Sequence, residues 1–148
     1  MKMIEDVHIR PFRIEDYEVV VSLWKRSRLP HKPAGRDARE RIARELEGAG
    51  AIFLVAECKG QVVGSAFATH DGRKGWINRL AVTPAFRRQG IAARLVKEAE
   101  KRLAMAGIQI VACLIEDDNA DSKQFFQCIG YQRFDEISYF TKKQHPEV

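Results

Sequence analysis

The stretch that most constrains the fold of this chain is residues 76–92, WINRLAVTPAFRRQGIA. Its apolar first part, 76–82, predicts a buried strand that ends at Thr83-Pro84. After Gly90 the sequence takes the amphipathic pattern of a long helix. A helix N-terminus carries backbone N–H groups without partners, and the helix dipole favours negative charge there. Because Gly90 also allows close approach to the backbone, this stretch predicts a phosphate-binding turn.

Two spaced motifs resemble those of one superfamily. The first, Arg87-x-x-Gly90-x-Ala92 after the strand that ends at Val82, resembles the acetyl-CoA pyrophosphate loop of the GNAT superfamily of N-acetyltransferases. The second resembles a downstream segment of that superfamily and runs Asn119-x-x-Ser122-x-x-Phe125-Phe126-x-x-x-Gly130-Tyr131. The two motifs occur in the superfamily's order, which makes the match strong. The predicted order of strands and helices resembles that of the superfamily over essentially the whole chain.

The resemblance implies that acetyl-CoA is the cofactor. Backbone groups at the strand end would hold pantetheine, the turn would hold the pyrophosphate, and the Asn119 side chain would bond the pantetheine amide. Arg87 and Arg88 would add mobile positive charge. The expected cofactor-binding residues are Leu80, Ala81, Val82, Arg87, Arg88, Gln89, Gly90, Ile91, Ala92, Asn119, Ser122 and Phe126. For Asn119, a plain N-cap of the following helix stays open as the alternative.

The patterns along the chain predict one α/β domain over residues 1–148, a GNAT-like mixed β-sheet flanked by helices. Strands 76–82 and 108–115 should be parallel neighbours, the latter covered on both faces, and the resemblance implies that this pair splays. The expected strands are 7–12, 51–57, 61–69, 76–82, 108–115, 131–134 and 137–141. The second and third should form a hairpin around Lys59-Gly60, and the last two should be antiparallel. The expected helices are one that opens at residue 13, 36–47, one from Gly90 to Gly107, and 120–128.

The positive charge of the chain is concentrated in residues 25–44. The whole chain has a formal net charge of +5, whereas this segment has eight basic and two acidic residues, a net charge of +6. Such a local field could steer an anionic partner or an anionic acceptor, although a solvated helix face is the plain alternative.

Composition excludes several classes of protein. No apolar run approaches the roughly 20 residues of a membrane span, and the N-terminus lacks the apolar region of a signal peptide, so we expect a cytoplasmic protein. The three cysteines show no C-x-x-C spacing, and neither a disulfide framework nor a metal site is expected. A homodimer is an open expectation.

The usual catalytic acid and base of the superfamily are missing from their positions. Phe126 stands where many members carry a tyrosine that protonates the departing thiolate, and Leu114 stands where some carry a carboxylate. The first substitutes are Glu116 and Tyr131. Further candidates are Tyr139, His70 and His31, and each also has a plain structural interpretation. Cys113 is expected to be a core thiol and not an acyl carrier.

Together these features predict an acetyl-CoA-dependent N-acetyltransferase that moves an acetyl group directly to a primary amine of a small molecule or a protein N-terminus. One alternative is a GNAT-like protein that binds CoA and has lost catalysis, which Phe126 and Leu114 suggest. The other is a nucleic-acid-binding module, which the basic segment suggests. That segment lacks interleaved aromatic residues, so nucleic acid is an unlikely partner.

Overall fold

The computed structural model describes residues 6–148, which form five strands and four α-helices. The strands are β1 (Val7–Pro11), β2 (Ala51–Cys58), β3 (Gln61–His70), β4 (Gly75–Val82) and β5 (Val111–Ala112). The helices are α1 (Tyr17–Arg26), α2 (Arg39–Leu46), α3 (Ile91–Met105) and α4 (Ala120–Cys128). Short 3-10 turns, Ile14–Asp16 and Pro84–Phe86, precede α1 and α3. Residues 83–90 therefore connect the end of β4 to the start of α3.

The five strands form one sheet in the order β1-β2-β3-β4-β5. The first three junctions are antiparallel, and β4 pairs with β5 in parallel. The β2–β3 turn has Lys59 at φ 50° and Gly60 at φ 81°, the left-handed pair of a two-residue hairpin. The predicted mixed α/β sheet, its hairpin and its parallel pair are confirmed.

Each face of the sheet packs against its own helices. Alternate residues of β2 show this, because Leu54 joins the core that contains α3 and Val55 joins the core that contains α1. On the α3 side the buried stripe is Ile91, Leu95, Ala99 and Leu103, as its four-residue spacing predicts. On the α1 side Trp24 is fully buried, with its ring 5.2 Å from that of Phe67. β4, which lies between β3 and β5 in the sheet, therefore has one core on each of its faces.

The C-terminal part of the sheet differs from the prediction. β5 covers only Val111–Ala112 instead of residues 108–115, and Ile110 and Leu114 are 54% and 56% exposed, so the prediction of a strand covered on both faces is wrong. Residues 131–134 and 137–141, predicted as an antiparallel pair, form no strand. Within residues 6–148 the outer edge of β5 has no neighbouring strand, so no hydrogen-bonded ladder forms there.

Two helices begin later than predicted because carboxylates hold the preceding residues in turns. α2 begins at Arg39 and not at residue 36, since Asp37 Oδ2 accepts the Lys32 N–H at 2.7 Å. The residues after 13 form a 3-10 turn before α1, in which Asp16 Oδ2 accepts the Arg13 N–H at 2.8 Å. Both side chains compete with the helix for backbone donors.

No helix in the described part of the chain is both long and apolar enough to cross a membrane.

Candidate functional site

The site begins where β4 and β5 separate. They pair only at Gly75 with Val111 and at Trp76 with Ala112. The Thr83 N–H donates to Val63 O at 2.8 Å, on the β3 side, so by alternation the Val82 peptide groups face the opposite edge. Along residues 77–82 this edge of β4 has no strand partner among the described residues. The result is a gap whose wall is a strand edge, which can pair with an extended ligand that contains amides.

A β-bulge interrupts β4 in the wall of this gap. Ser65 pairs with Ala81 and Phe67 pairs with Asn78, so two residues of β4, Arg79 and Leu80, stand opposite one residue of β3. Arg79 has φ 52°, a left-handed conformation that costs an arginine about 1 kcal/mol or more. A bulge bends the strand and redirects its peptide groups. The bulge therefore changes which backbone groups point into the gap.

A buried polar network holds the bulge in place. The Arg79 guanidinium donates to both oxygens of Asp37, at 3.3 and 2.7 Å, and the Asp37 carbonyl accepts the Tyr17 hydroxyl at 2.8 Å. The Arg79 carbonyl accepts the Ser65 hydroxyl at 2.8 Å, and Ser65 Oγ accepts the Trp24 indole N–H at 3.0 Å. These bonds connect α1, the segment before α2, β3 and β4.

The predicted site residues do not include this network. The available signal was Arg79, because a charged residue inside an apolar strand requires a buried partner. The partner, Asp37, lies 42 residues away in a segment notable for its basic residues, and no local spacing relates the two.

The turn between β4 and α3 presents backbone donors at a helix N-terminus. Gly90 is the N-cap of α3 at φ 78°, and Arg88 also has a left-handed φ, 62°. The first helical bond runs from the Arg94 N–H to Gly90 O at 3.1 Å, so the N–H groups of residues 91–93 have no carbonyl of the helix to bond. Thr83 Oγ1 and Gln89 Oε1 are buried without a partner in the described structure.

This turn fits a pyrophosphate. Free N–H groups, the positive end of a helix of fifteen residues and exposed arginine side chains are the features that bind such an anion. Arg87 differs from the expectation of mobile charge, because its Nε donates to Val82 O at 3.0 Å. Its guanidinium is thereby positioned beside the end of β4, whereas Arg88 is exposed.

The second motif forms the start of α4. Asn119 Oδ1 accepts the Ser122 N–H at 3.1 Å, so Asn119 is the N-cap that the alternative interpretation predicted, and its Nδ2 remains a donor. Phe126 is 6% exposed, and its ring centre lies 5.0 Å from that of Tyr131 and 5.1 Å from that of Phe125. The residue in the usual tyrosine position therefore packs in the core.

Tyr131 is a half-buried phenol that is already engaged. Its hydroxyl donates to Glu100 Oε2 at 2.8 Å. Burial, and after it this hydrogen bond, raise the pKa of Tyr131 well above its ordinary value. A phenol that holds its proton so strongly is a poor general acid near neutral pH.

The other catalytic candidates are dispersed. Glu116 is exposed after β5, and Tyr139 is exposed in the C-terminal segment. His31 Nδ1 lies 3.2 Å from Leu29 O, and His70 Nδ1 accepts the Gly72 N–H at 3.0 Å. No acid–base pair is formed by hydrogen bonds among these candidates within residues 6–148.

Cys113 was expected to be a core thiol, but it is only partly buried and lies just after β5. Burial raises the pKa of Cys113 to about 11, so the thiolate is scarce at neutral pH and the side chain is a weak nucleophile. No group of three or more potential metal ligands is assembled by the residues that the structure describes.

The basic segment forms an open arginine-lined cavity. Arg36, Arg41, Arg44 and Glu45 line this cavity of about 320 Å³. None of the three arginines makes an ion pair with a described carboxylate, whereas Asp37 is engaged by Arg79. Burial, and after it the charge of Asp37, raise the pKa of Glu45, which favours its neutral form. With three arginines and one carboxylate in its lining, the cavity has a net positive charge.

Comparison with known proteins identifies the family and the fold of this chain. A model of the acetyltransferase (GNAT) family matches residues 16–131, well over half of the chain. The chain is similar to the structure of AAC(6')-Iy in complex with the bisubstrate analogue CoA-S-monomethyl-acetylneamine, with a TM-score of 0.77 and 20% identity over 93% of this chain and 98% of that one. It is also similar to PaiA N-acetyltransferase from Thermoplasma acidophilum in complex with coenzyme A, with a TM-score of 0.75 and 21% identity over 85% of this chain and 89% of that one.

A third similar structure is a predicted acetyltransferase with acetyl-CoA from Clostridium acetobutylicum, with a TM-score of 0.75 and 18% identity over 91% of this chain and 96% of that one. These likenesses show the fold. The family match includes β4, the turn before α3, β5 and α4. This chain belongs to the acetyltransferase (GNAT) family.

Proposed function

We propose that this chain is an N-acetyltransferase that moves the acetyl group of acetyl-CoA directly to a primary amine. The observation that carries the proposal is the gap between β4 and β5, which leads to the free N–H groups at the start of α3. A long cofactor with a peptide-like arm and a pyrophosphate requires both features side by side.

Three segments of this chain bind different parts of acetyl-CoA. Backbone groups of Leu80 and Val82 bond the pantetheine arm, whereas Ala81 between them pairs with Ser65 of β3. One lone pair of Val82 O remains available because Arg87 uses the other. The turn from Arg87 to Ala92 takes the pyrophosphate. Asn119 Oδ1 accepts the Ser122 N–H, which orients the side-chain amide so that Nδ2 reaches the arm from the start of α4. The bound cofactor supplies a thioester with a good thiolate leaving group.

The bulge in β4 supports a role for backbone in stabilising negative charge. Two residues of β4, Arg79 and Leu80, stand opposite Ala66 of β3 and interrupt the alternation of peptide directions along β4. As a result the Leu80 N–H lies at the edge that faces the gap. An N–H fixed in this way stabilises the oxyanion that develops as the amine attacks the thioester carbonyl. Asp37 and Ser65 fix the bulge from the other side, so they are positioning residues.

Proton transfer goes to and from water. The amine nitrogen forms its bond to the acetyl carbon as the C–S bond breaks, the amine loses a proton to solvent, and the thiolate takes one from solvent. The side chains support this route, because Phe126 is buried and apolar, Leu114 is apolar and Tyr131 donates to Glu100. Glu116 is exposed and acts at most as a weak base.

The acceptor carries a carboxylate or phosphate besides its amine. Arg36, Arg41 and Arg44 have no carboxylate partners among the described residues, and Asp37 joins this segment to the bulge through Arg79. A polycationic acceptor would meet like charge on its approach to this region. A small anionic amine or an acidic protein N-terminus would be attracted.

Charge reversal tests this assignment of the acceptor. The double substitution Arg41→Glu with Arg44→Glu should lower kcat/KM for an amine that carries a carboxylate by about tenfold or more, and high salt should shrink the difference. Lys101→Glu, at an exposed position of α3, is the matched control and should change little. Best turnover of a polyamine such as spermine by the unmodified enzyme would reject the anionic acceptor.

The rival function is a CoA-binding protein without catalysis, which the absence of an acid at Phe126 favours. The two functions separate in one assay, in which acetyl-CoA and a panel of amines are incubated with the protein and free thiol is measured. Thiol release above the rate without protein, together with acetylated amine, supports the enzyme. Binding in calorimetry without release for any amine supports the rival.

A further inference from the structure

The peptide between Arg79 and Leu80 in the β4 bulge accepts a hydrogen bond from a buried hydroxyl. The Arg79 carbonyl oxygen accepts the Ser65 hydroxyl at 2.8 Å, and Ser65 is fully buried. No cis peptide bond occurs among the described residues, so the N–H of this peptide, which belongs to Leu80, points away from its carbonyl. The hydroxyl therefore bonds the peptide on the side opposite to the N–H that faces the gap.

The chemistry of three groups fixes the direction of the hydrogen bonds between them. The Trp24 indole N–H lies 3.0 Å from Ser65 Oγ, and an indole can only donate. The Arg79 carbonyl can only accept. Because a serine hydroxyl has one hydrogen, Ser65 Oγ accepts from Trp24 and donates to Arg79. The three groups form a relay that runs from Trp24 through Ser65 to the Arg79 carbonyl.

Contacts on several sides hold the first donor of the relay in place. The Trp24 ring is fully buried, and its centre lies 5.2 Å from that of Phe67 and 5.9 Å from that of His31. The Arg79 guanidinium lies 5.7 Å from the centre of the same ring. A cation at this distance is attracted to the ring and polarises it, which makes the indole N–H a stronger donor.

Hydrogen bonds aligned in this way strengthen one another. In a buried environment of low dielectric constant the gain is about 10–30% per bond, and Trp24 and Ser65 are both fully buried. A donor at the Arg79 carbonyl withdraws electron density through the conjugated peptide, which makes the Leu80 N–H more positive.

We propose that Trp24 and Ser65 polarise the Arg79–Leu80 peptide, which makes the Leu80 N–H a stronger donor to the thioester oxygen in the gap. The inference rests on the proposed function, in which this N–H stabilises the oxyanion. Trp24 is a further positioning residue, because it is fully buried and acts through Ser65 and the peptide. A residue that only filled the core beside the bulge would not change the strength of this donor.

Nuclear magnetic resonance tests the polarisation in the protein without ligand, because the amide nitrogen resonance of Leu80 responds to hydrogen bonding at the Arg79 carbonyl. Trp24→Phe removes the indole N–H, Ser65→Ala removes the hydroxyl, and each should shift this resonance upfield. Replacement of tryptophan by 5-fluorotryptophan, whose N–H is more acidic at nearly the same volume, should shift it downfield, except in Ser65→Ala. Ser27→Ala removes a buried hydroxyl that has no partner in the described structure, and this control should leave the resonance unchanged.

Infrared spectroscopy and kinetics extend the test to the bound thioester. With an isotope label at the thioester carbonyl of acetyl-CoA, Trp24→Phe should raise the stretching frequency of that carbonyl, because a weaker hydrogen bond polarises it less. The same variant should lower kcat by about three- to tenfold, a fraction of the effect of a whole oxyanion donor, with little change in the KM for acetyl-CoA.

The outcomes separate the relay from the proposed function. An unchanged Leu80 resonance in folded Trp24→Phe and Ser65→Ala would overturn the relay. If either variant fails to fold, the fluorotryptophan protein decides, and an unchanged resonance there would overturn the relay as well. The expected shifts without turnover of any amine would support the relay and contradict the proposed function.

Discussion

Gly90 decides whether the turn before α3 can hold a phosphate. It occupies φ 78° at the N-cap, where a glycine has no steric cost and where the free N–H groups of residues 91–93 converge. Any side chain at this position meets backbone strain, and an acidic one also places negative charge at the anion site.

Gly90→Glu should therefore weaken acetyl-CoA binding in calorimetry by more than about 100-fold, since a buried like-charge contact costs several kcal/mol. The matched control is Gly60→Glu, at φ 81° in the β2–β3 turn, where an added Cβ has no neighbour within 4 Å. The control carries the same strain and charge and should bind normally. Equal affinities of the two variants would contradict the assignment of the pyrophosphate to this turn.

Tyr131 is the residue for which structure and catalytic hypothesis conflict most directly. Its hydroxyl donates to Glu100 at 2.8 Å, which raises its pKa and leaves it a structural donor. Tyr131→Phe should leave turnover within about threefold of the unmodified enzyme and lower stability by about 1 kcal/mol, because Glu100 loses a hydrogen bond. If turnover instead falls by about two orders of magnitude while acetyl-CoA affinity is unchanged, Tyr131 is the general acid.

Ionisation of Tyr131 should make the stability of the fold depend on pH in the alkaline range. The folded pKa of Tyr131 lies above its ordinary value of 10.0, so the folded state favours the protonated form. The stability that this provides is complete below about pH 10 and is lost as the pH rises beyond it. Denaturant unfolding should show the unmodified protein losing stability above pH 10 faster than Tyr131→Phe. Identical pH profiles would show that the hydroxyl does not sense the folded environment.

At the scale of elements, the ion pair between Arg79 and Asp37 joins the segment before α2 to β4. Both side chains are nearly buried, at 16% and 9% exposure, and Asp37 also holds the Lys32 N–H. Removal of Asp37 leaves the buried Arg79 guanidinium without a partner. It also removes the acceptor of the Lys32 N–H, which stabilises the turn before α2.

Asp37→Ala should lower the free energy of unfolding by about 2–4 kcal/mol, measured by urea titration, and should slow turnover through loss of the bulge. Glu98→Ala, which breaks the half-exposed pair with Arg102 within α3, is the control and should cost less than about 0.5 kcal/mol. If Asp37→Ala unfolds at the same urea concentration as the control, the network does not hold the bulge.

The elements show how far the sequence predicts this fold. Strong local periodicity predicted α3, whose stripe of Ile91 to Leu103 is buried as expected. The residue types Lys59-Gly60 between two strand patterns predicted the hairpin turn. Motif spacing predicted the turn at Gly90. The β4 bulge depends on a contact between Arg79 and a residue 42 positions away, which no local pattern contains. An apolar run such as 108–115 indicates strand propensity, but its burial depends on whether a neighbouring strand is present.

At the scale of the whole molecule, the absence of an assembled acid–base pair among residues 6–148 predicts how rate depends on pH. With protons exchanged with water, the requirement is a neutral amine, whose fraction rises with pH. We expect kcat/KM to rise from roughly pH 7 to 9 and to follow the pKa of the acceptor amine. Glu116→Gln should lower it by less than about tenfold, short of the effect of a positioned general base. Loss of all activity in this variant, with acetyl-CoA affinity retained, would make Glu116 the base.

The central claim is that this chain transfers acetyl groups from acetyl-CoA to amines. The most direct measurement follows free CoA and acetylated amine together in one reaction, by thiol titration and mass spectrometry. We predict one acetylated amine for each CoA released, loss of both in Gly90→Glu, and retention of both in Gly60→Glu. Tight binding of acetyl-CoA without CoA release for any amine, anionic or cationic, would contradict the claim.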